Sequence, residues 1–227
     1  MVKQRPVPDN LLSVLPKEVT AALFAVARPH KLKADQVLFT SGDPGDGCYR
    51  VEQGLLKVSM VSPSGGERIL AILGPGSLVG EFAMIDAQPR SASVTAARDS
   101  ELSFISRTAF EQVARDNPDV YRHIVKLLVQ RLRDTNNVVA AMSFLSLKGR
   151  IAQALLSLAE AFGNDVGGGR ILVRQKVTQS DLAAMAGIAR ENVSRILNEW
   201  MRNKLVSRLA GYYCLENRAA LEAEAEM

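Results

Sequence analysis

The sequence predicts an α+β protein: a β-roll, then a long helix, then a winged helix-turn-helix. Three observations carry this prediction. Short β-rich runs punctuated by glycine turns fill the chain from about Pro29 to Arg107. A stripe with alternating steps of four and three residues follows, from Tyr121 to Met142. Two short helical patterns joined by Gly187, and two strand-like runs bent around Gly211, close the chain.

Taken in order, Leu11 to Ala27 reads as a short amphipathic helix. The β-rich runs are Val37–Thr40, Cys48–Val51, Leu55–Val61, Arg68–Leu73, Ser91–Ala96 and Leu102–Ile105. Between them lie Ser41-Gly42-Asp43, Gln53-Gly54, Pro63-Ser64-Gly65-Gly66 and Gly74-Pro75-Gly76, all turn-favouring. Many short strands with regular turns imply a β-barrel or roll. The stripe of the long helix is Tyr121, Val125, Leu128, Leu132, Thr135, Val139 and Met142, apolar everywhere but Thr135. It is narrow, and its neighbours Arg131, Arg133 and Asp134 are charged. That favours a second copy of the same helix as its partner, and hence a parallel homodimer. Ser146 to Arg150 reads as a hinge, because the stripe stops there and a glycine follows. A new helix then spans Ile151 to Phe162, and Gly163 to Gly169 reads as a flexible loop.

The chain has 227 residues, enough for one large domain or two small ones. No apolar run approaches the roughly 18 residues of a membrane span. Met1 to Asn10 is polar, with two prolines and no apolar signal core, so a cytoplasmic protein without a membrane partner is expected. Cys48 and Cys214 stand far apart without metal-ligand spacing, as expected of structural thiols in a reducing compartment. His30 and His123 are isolated. With no nucleophile–base set, metal cluster or GxxxxGK phosphate loop, an enzyme is not expected.

The charge is concentrated. Between Gly168 and Arg218 stand Arg170, Arg174, Lys176, Arg190, Arg195, Arg202, Lys204, Arg208 and Arg218, against Asp181, Glu191, Glu199 and Glu216. Within this stretch Thr178-Gln179-Ser180-Asp181 opens a helix: Thr178 can cap the first turn, and Asp181 suits the positive end of the helix dipole. Gly187 breaks that helix. The next, Ala189 to Arg202, turns Val193, Ile196, Leu197 and Trp200 inward and exposes Arg190, Glu191, Asn192, Ser194 and Arg195. Leu205–Arg208 and Tyr212–Leu215, bent around Gly211, form a wing. This surface suits a major groove of duplex DNA. Arginine forks onto guanine O6 and N7, and glutamate accepts from cytosine N4. Arg190, Glu191 and Arg195 are the expected base readers, with Asn192 and Ser194 reading bases or holding phosphates. Thr178 and Gln179 are assigned to the same interface.

Phe144 to Leu158 and Gly187 to Leu197 (GIARENVSRIL) resemble the cyclic AMP receptor protein and FNR family of bacterial transcription regulators. Gly80-Glu81-Phe82-Ala83 and Pro89-Arg90-Ser91-Ala92 resemble that family's phosphate-binding cassette. Gly42-Asp43 and Tyr49–Gly54 resemble its β-roll turns. The resemblance covers nearly the whole chain. It implies a double-stranded β-helix of the cyclic-nucleotide-binding type over residues 1–108, a dimerisation helix over 109–146, and a winged helix-turn-helix over 147–227. It also implies RNA polymerase as a partner, and cAMP as effector, with cGMP as the alternative. Arg90 would fork onto the cyclic phosphate, Ser91 would add its hydroxyl and N–H, and Gly80 would let the backbone approach the sugar. Glu81 would accept from the ribose 2′-hydroxyl, and the N–H groups of Phe82 and Ala83 would favour the anion. By the same resemblance Thr135 faces the base and Asn136 reaches the nucleotide of the opposite subunit; a register-setting role for Thr135 is the competing reading. Thr-Asn here resembles cAMP-responsive members. Ala189 departs from the pattern, since many relatives place a capping serine or threonine there. Arg190 and Arg195 imply a TGTGA-like half-site, whereas Ser194-Arg195 also resembles the FNR pattern. The N-terminal cysteines of iron–sulfur members and the axial ligands of haem members are not found, so no metal, haem or cluster is expected. Two alternatives stand beside this reading: a ligand-independent regulator with a degenerate effector pocket, and a nucleotide-binding subunit that regulates a protein partner.

Overall fold

The computed structural model describes residues 21, 23–25 and 27–226. Most of the helix expected at Leu11–Ala27 therefore lies outside the described residues. The chain divides into two compact units, with the boundary between Arg133 and Asp134.

In the first unit every strand pairing is antiparallel. The strands are β1 (Arg28–Leu32), β2 (Val37–Phe39), β3 (Gly47–Val61), β4 (Glu67–Leu73), β5 (Leu78–Val79) and β6 (Ser93–Ser106). They form one sheet in the order β1-β6-β3-β4, with β2 also on β6 and β5 on β3. A short helix, α1 (Glu81–Asp86), sits between β5 and β6. The sheet is rolled around Leu32, Val51, Leu56, Leu73, Val79, Val94, Ala96 and Leu102.

Two runs expected as separate strands, Cys48–Val51 and Leu55–Val61, are one strand. Its register against β6 shifts between Val51 and Leu56, so Gln53-Gly54 is a bulge rather than a turn. Gly54 has φ +101°, and a Cβ there would overlap Ser100. The Ser100 hydroxyl in turn accepts from the Leu55 N–H at 3.0 Å, satisfying the donor that the bulge frees. The runs Ser91–Ala96 and Leu102–Ile105 likewise merge into β6, and β1 and β5 add to the expected set.

The helical segment after Arg107 is two helices, α2 (Arg107–Asp116) and α3 (Asp119–Phe144), broken at Asn117-Pro118. Proline lacks the N–H and clashes with the preceding turn. Val120, Ile124 and Leu127 of α3 pack with Phe110 and Ala114 of α2 onto Cys48, Leu78, Met84 and Ile105, a second core below the roll. The Cys48 thiol there is pushed up to about 12, chiefly by burial, with the nearby Glu81 adding to it and Arg90 opposing. The other face of α3 is exposed: Tyr121, Val125, Leu132, Val139 and Met142 are all open to solvent.

In the second unit the break between helices falls at Leu145-Ser146, earlier than the expected hinge. Ser146 caps α4 (Leu147–Phe162) by accepting from the Gly149 N–H at 3.1 Å, so Lys148, Gly149 and Arg150 are helical. Gly149 is a packing residue: a Cβ there would meet the Glu224 carbonyl at 2.8 Å. Arg150 reaches back and donates to the Met142 and Leu145 carbonyls at 2.7 and 3.2 Å, satisfying groups that the end of α3 leaves open. The expected loop after Gly163 is a hairpin of β7 (Gly163–Asp165) and β8 (Ile171–Val173). Then come α5 (Gln179–Ala186), α6 (Arg190–Arg202), β9 (Val206–Leu209), β10 (Tyr212–Leu215) and α7 (Arg218–Glu224). The strands form a second sheet in the order β7-β8-β10-β9. Ile151, Leu155, Leu182, Val193, Ile196, Leu197, Trp200, Tyr213 and Leu215 fill this unit's core.

Candidate functional site

Two sites emerge, one in each unit. The first surrounds the turn into α1. Gly80 has φ +83°, and a Cβ there would overlap Arg90 Nη1. Only glycine adopts that backbone without strain and leaves room for the guanidinium. Arg90 and Glu81 are both 4% exposed, and a buried charge needs partners. Arg90 Nη1 donates to the Gly47 carbonyl at 2.7 Å and to the Gly80 carbonyl at 2.9 Å. Its Nη2 lies 3.8 Å from Asp46 Oδ1, and its plane sits over the Phe39 ring, 4.3 Å from the centroid. Among the described residues its buried Nε has no hydrogen-bond partner. The guanidinium is thus fixed on one side and retains donor capacity on the other.

Glu81 opens α1. Its ion-pair partner is Arg131 of α3, with Nε at 3.6 Å from Oε1. Arg131 also donates through Nη2 to the Leu78 carbonyl at 3.0 Å. Burial raises the Glu81 carboxyl above the usual range; Arg131, its own backbone N–H and Arg90 oppose that rise in decreasing order. Glu81 and Arg90 are not held by an ion pair with each other: Glu81 faces Arg131, and Arg90 faces Asp46. Gly80, Glu81, Phe82, Ala83 and Arg90 are brought together, and Ser91 follows Arg90 as an exposed residue. Thr135 and Asn136 are exposed residues of α3 beyond the boundary between the units. Sequence reasoning missed Arg131, counting it only as a charged flank of the stripe. It also missed Asp46, Gly47 and Phe39, which shape the side of the pocket that holds Arg90.

The second site is built on α5 and α6. Thr178 closes a capping box: its hydroxyl accepts from the Asp181 N–H at 3.0 Å, and Asp181 Oδ2 accepts from the Thr178 N–H at 2.9 Å. Gly187 ends α5 in the left-handed region, φ +65°. Ala189 begins α6 with extended backbone and no side-chain cap. Val193, Ile196, Leu197 and Trp200 are buried, as their spacing predicts. Arg190, Glu191 and Arg195 are exposed, and Asn192 and Ser194 are half-buried. Asn192 Oδ1 accepts from Arg195 Nη2 at 3.4 Å. One turn further along the same face of α6, Glu199 Oε1 accepts from Lys148 Nζ of α4 at 2.5 Å. Ala210 and Gly211, at φ +50° and +89°, make the tight turn of the wing. Lys176 and Arg208 lie over the rings of Tyr212 and Tyr213, at 5.5 and 5.1 Å. This arrangement offers a rigid helix with an exposed arginine-rich end beside a cationic wing. Among the described residues no cluster of histidine, cysteine or carboxylate side chains suits a metal ion.

Comparison with known proteins matches a domain in each half of the chain. Residues 29–117 match the family model of a cyclic nucleotide-binding domain, and residues 149–224 that of a Crp-like helix-turn-helix domain. The chain is 31% identical over 206 residues to a CRP-like cAMP-activated global transcriptional regulator of Mycobacterium tuberculosis, covering 91% of this chain and 88% of that protein. It is 33% identical to the cyclic AMP receptor protein of Thermus thermophilus, over 91% of this chain and 92% of the relative. Among solved structures, a transcriptional regulator of the CRP/FNR family from Thermus thermophilus matches with a TM-score of 0.72 and 28% identity, covering 88% of this chain and 99% of that one.

Proposed function

The chain belongs to the CRP/FNR family of transcription regulators, with a cyclic nucleotide-binding domain and a helix-turn-helix DNA-binding domain, and on that premise we propose that it is a homodimer whose DNA affinity is set by bound cAMP. The observation that carries this reading is Arg90: a buried guanidinium with an unpartnered Nε, in the same pocket as a buried carboxylate, Glu81. A cyclic nucleotide brings one negative charge and one free ribose hydroxyl, which these two groups complement. In the proposed complex Arg90 and Ser91 hold the phosphate, with the N–H groups of Phe82 and Ala83 beside it. Gly80 admits the sugar, and Glu81 accepts from the 2′-hydroxyl. Thr135 meets the base, and Asn136 meets the nucleotide of the opposite subunit. The exposed stripe of α3 supports the dimer, because an apolar row on a helix is stable only when covered.

At the other end Arg190, Glu191 and Arg195 read base edges, while Asn192, Ser194, Thr178 and Gln179 contact bases or phosphates. A two-fold dimer sets its recognition helices about 34 Å apart, one turn of DNA. The nucleotide acts by population shift: it binds more tightly to the arrangement that fits the operator, and DNA must then tighten nucleotide binding by the same factor. The regulator works in the cytoplasm with RNA polymerase as its protein partner, and it is not an enzyme. Calorimetric titration with cAMP and cGMP, repeated on Arg90→Ala, tests the reading. Binding of cAMP in preference to cGMP, lost in the variant, is the expected result. No binding of either nucleotide would demote Arg90 and Glu81 to structural residues of a ligand-independent regulator.

A further inference from the structure

Arg107, the first residue of α2, takes no part in the proposed nucleotide contacts, yet it touches both sides of the pocket. Its backbone N–H donates to the Asp46 carbonyl at 2.7 Å. Its side-chain Nε donates to the Met84 carbonyl at 3.1 Å, and Nη2 donates to the carbonyls of Gly45, at 3.0 Å, and of Ala83. The Ala83 and Met84 carbonyls belong to the C-terminal part of α1, and the Met84 carbonyl is among those that a helix end leaves without an i+4 donor. A guanidinium there supplies a donor to each of these carbonyls and places a cation at the negative end of the helix.

The Gly45 contact matters because the next two residues of the chain hold Arg90. Asp46 faces Arg90 Nη2, and the Gly47 carbonyl accepts from Arg90 Nη1. Gly45 is packed so closely on α1 that a Cβ would overlap Ala83 Cβ and sit 3.4 Å from the Arg90 guanidinium carbon. The loop 45–47 and helix α1 are therefore the two walls between which Arg90 is held, and Arg107 bonds to both. We propose that Arg107 is a positioning residue of the nucleotide pocket, fixing the gap between these walls and thereby the aim of Arg90 at the phosphate. The proposal rests on the nucleotide-binding reading of that pocket.

A residue that merely staples α2 to the roll would make the same hydrogen bonds, so the test must separate aim from bulk stability. Cyclic AMP affinity is measured by calorimetry for the full-length wild type, Arg107→Met, Arg107→Lys, Arg90→Lys and the Arg90→Lys/Arg107→Met double variant. The expected results are a loss of about tenfold or more for Arg107→Met and a smaller one for Arg107→Lys. The double variant is expected to lose less than the product of its two single losses, because a misaimed fork and a missing fork are the same defect. Losses that multiply, or an Arg107→Met affinity within about twofold of wild type, overturn the proposal. If Arg107→Met does not fold, Arg107→Lys, alone and combined with Arg90→Lys, carries the same comparison. A wild type that binds neither cAMP nor cGMP overturns both this proposal and the function reading. A wild type that binds, with Arg107 variants equal to it, overturns this proposal alone.

Discussion

Arg131 Nε lies 3.6 Å from Glu81 Oε1, so the buried carboxylate at the head of α1 is paired with a cation on the helix that carries the exposed stripe. Burial is the largest influence on Glu81 and raises its pKa; Arg131, its own backbone N–H and Arg90 oppose it without overcoming it. A carboxyl whose folded pKa is raised adds no penalty while protonated in both states. It costs stability as pH rises from its unfolded value through the folded one. A ribose hydroxyl donating to Glu81 favours the ionised form, so cAMP binding should release a proton wherever free Glu81 is still protonated. Affinity is expected to rise with pH and to level off once free Glu81 is ionised. Calorimetry in buffers of different ionisation enthalpy reads the proton count directly. In Glu81→Gln the pH dependence should vanish; if it persists, the proton belongs to another group.

Gly80 offers a second test of the same pocket. Its left-handed backbone and its closeness to Arg90 Nη1 both exclude a side chain. Gly80→Ala is expected to weaken cAMP binding by about tenfold or more, since both the strain of roughly 1–2 kcal/mol and the displaced guanidinium act there. Nonspecific DNA binding, measured without nucleotide, should stay at the wild-type level. A variant with wild-type cAMP affinity would show that the backbone at this turn is not part of the ligand contact.

How far the sequence could be read depends on how local each signal is. Gly80, Glu81 and Arg90 are legible because their chemistry lies on one short segment, ten residues apart at most. Arg131 was not, because it reaches Glu81 from a helix 50 residues further on, and nothing in its own neighbourhood announces a pocket. Glycine misled twice in the fold. Gln53-Gly54 carries the composition of a turn but makes a bulge, since a positive φ serves either. Gly149 has the look of a hinge but sits inside α4, where its missing side chain admits the Glu224 carbonyl. The strand β1 was missed because only Leu32 of its five residues is buried, leaving no alternation to detect. The two recognition-unit helices were read almost to the residue, because the Thr178 cap opens the first and Gly187, in the left-handed region, separates it from the second.

Ala189 is a place where this chain is less than optimally built. It occupies the N-cap of α6 with extended φ and ψ of −67° and 143°, the geometry that a serine cap uses, and offers no side-chain acceptor. Ala189→Ser should accept from the Asn192 N–H and stabilise the helix-turn-helix unit by about 1 kcal/mol. The reverse change at the neighbouring helix, Thr178→Ala, removes the capping box and should cost about 1–2 kcal/mol. Thermal unfolding of the full chain measures both. A destabilised Ala189→Ser would mean that the turn before α6 cannot accommodate the hydroxyl.

The stripe on α3 makes the strongest prediction about assembly. Val125 is 56% exposed and Leu132 60% exposed in the single chain, while Val120, Ile124 and Leu127 on the opposite face are buried in the roll unit's core. Replacing the exposed pair by glutamate leaves the internal core untouched, so the monomer should fold with an unchanged circular dichroism spectrum. Two charges in each copy of the stripe would face their equivalents in a parallel pair, where like charges repel and cannot be solvated. The wild type is expected to sediment as a dimer, and the Val125→Glu/Leu132→Glu variant as a monomer at the same concentration. Its affinity for a two-fold operator should fall by about 100-fold or more, because two half-sites are then bound independently rather than together. A variant that still sediments as a dimer would move the subunit interface to another face of the molecule. A variant that is monomeric yet binds the operator with wild-type affinity would separate DNA recognition from dimerisation altogether.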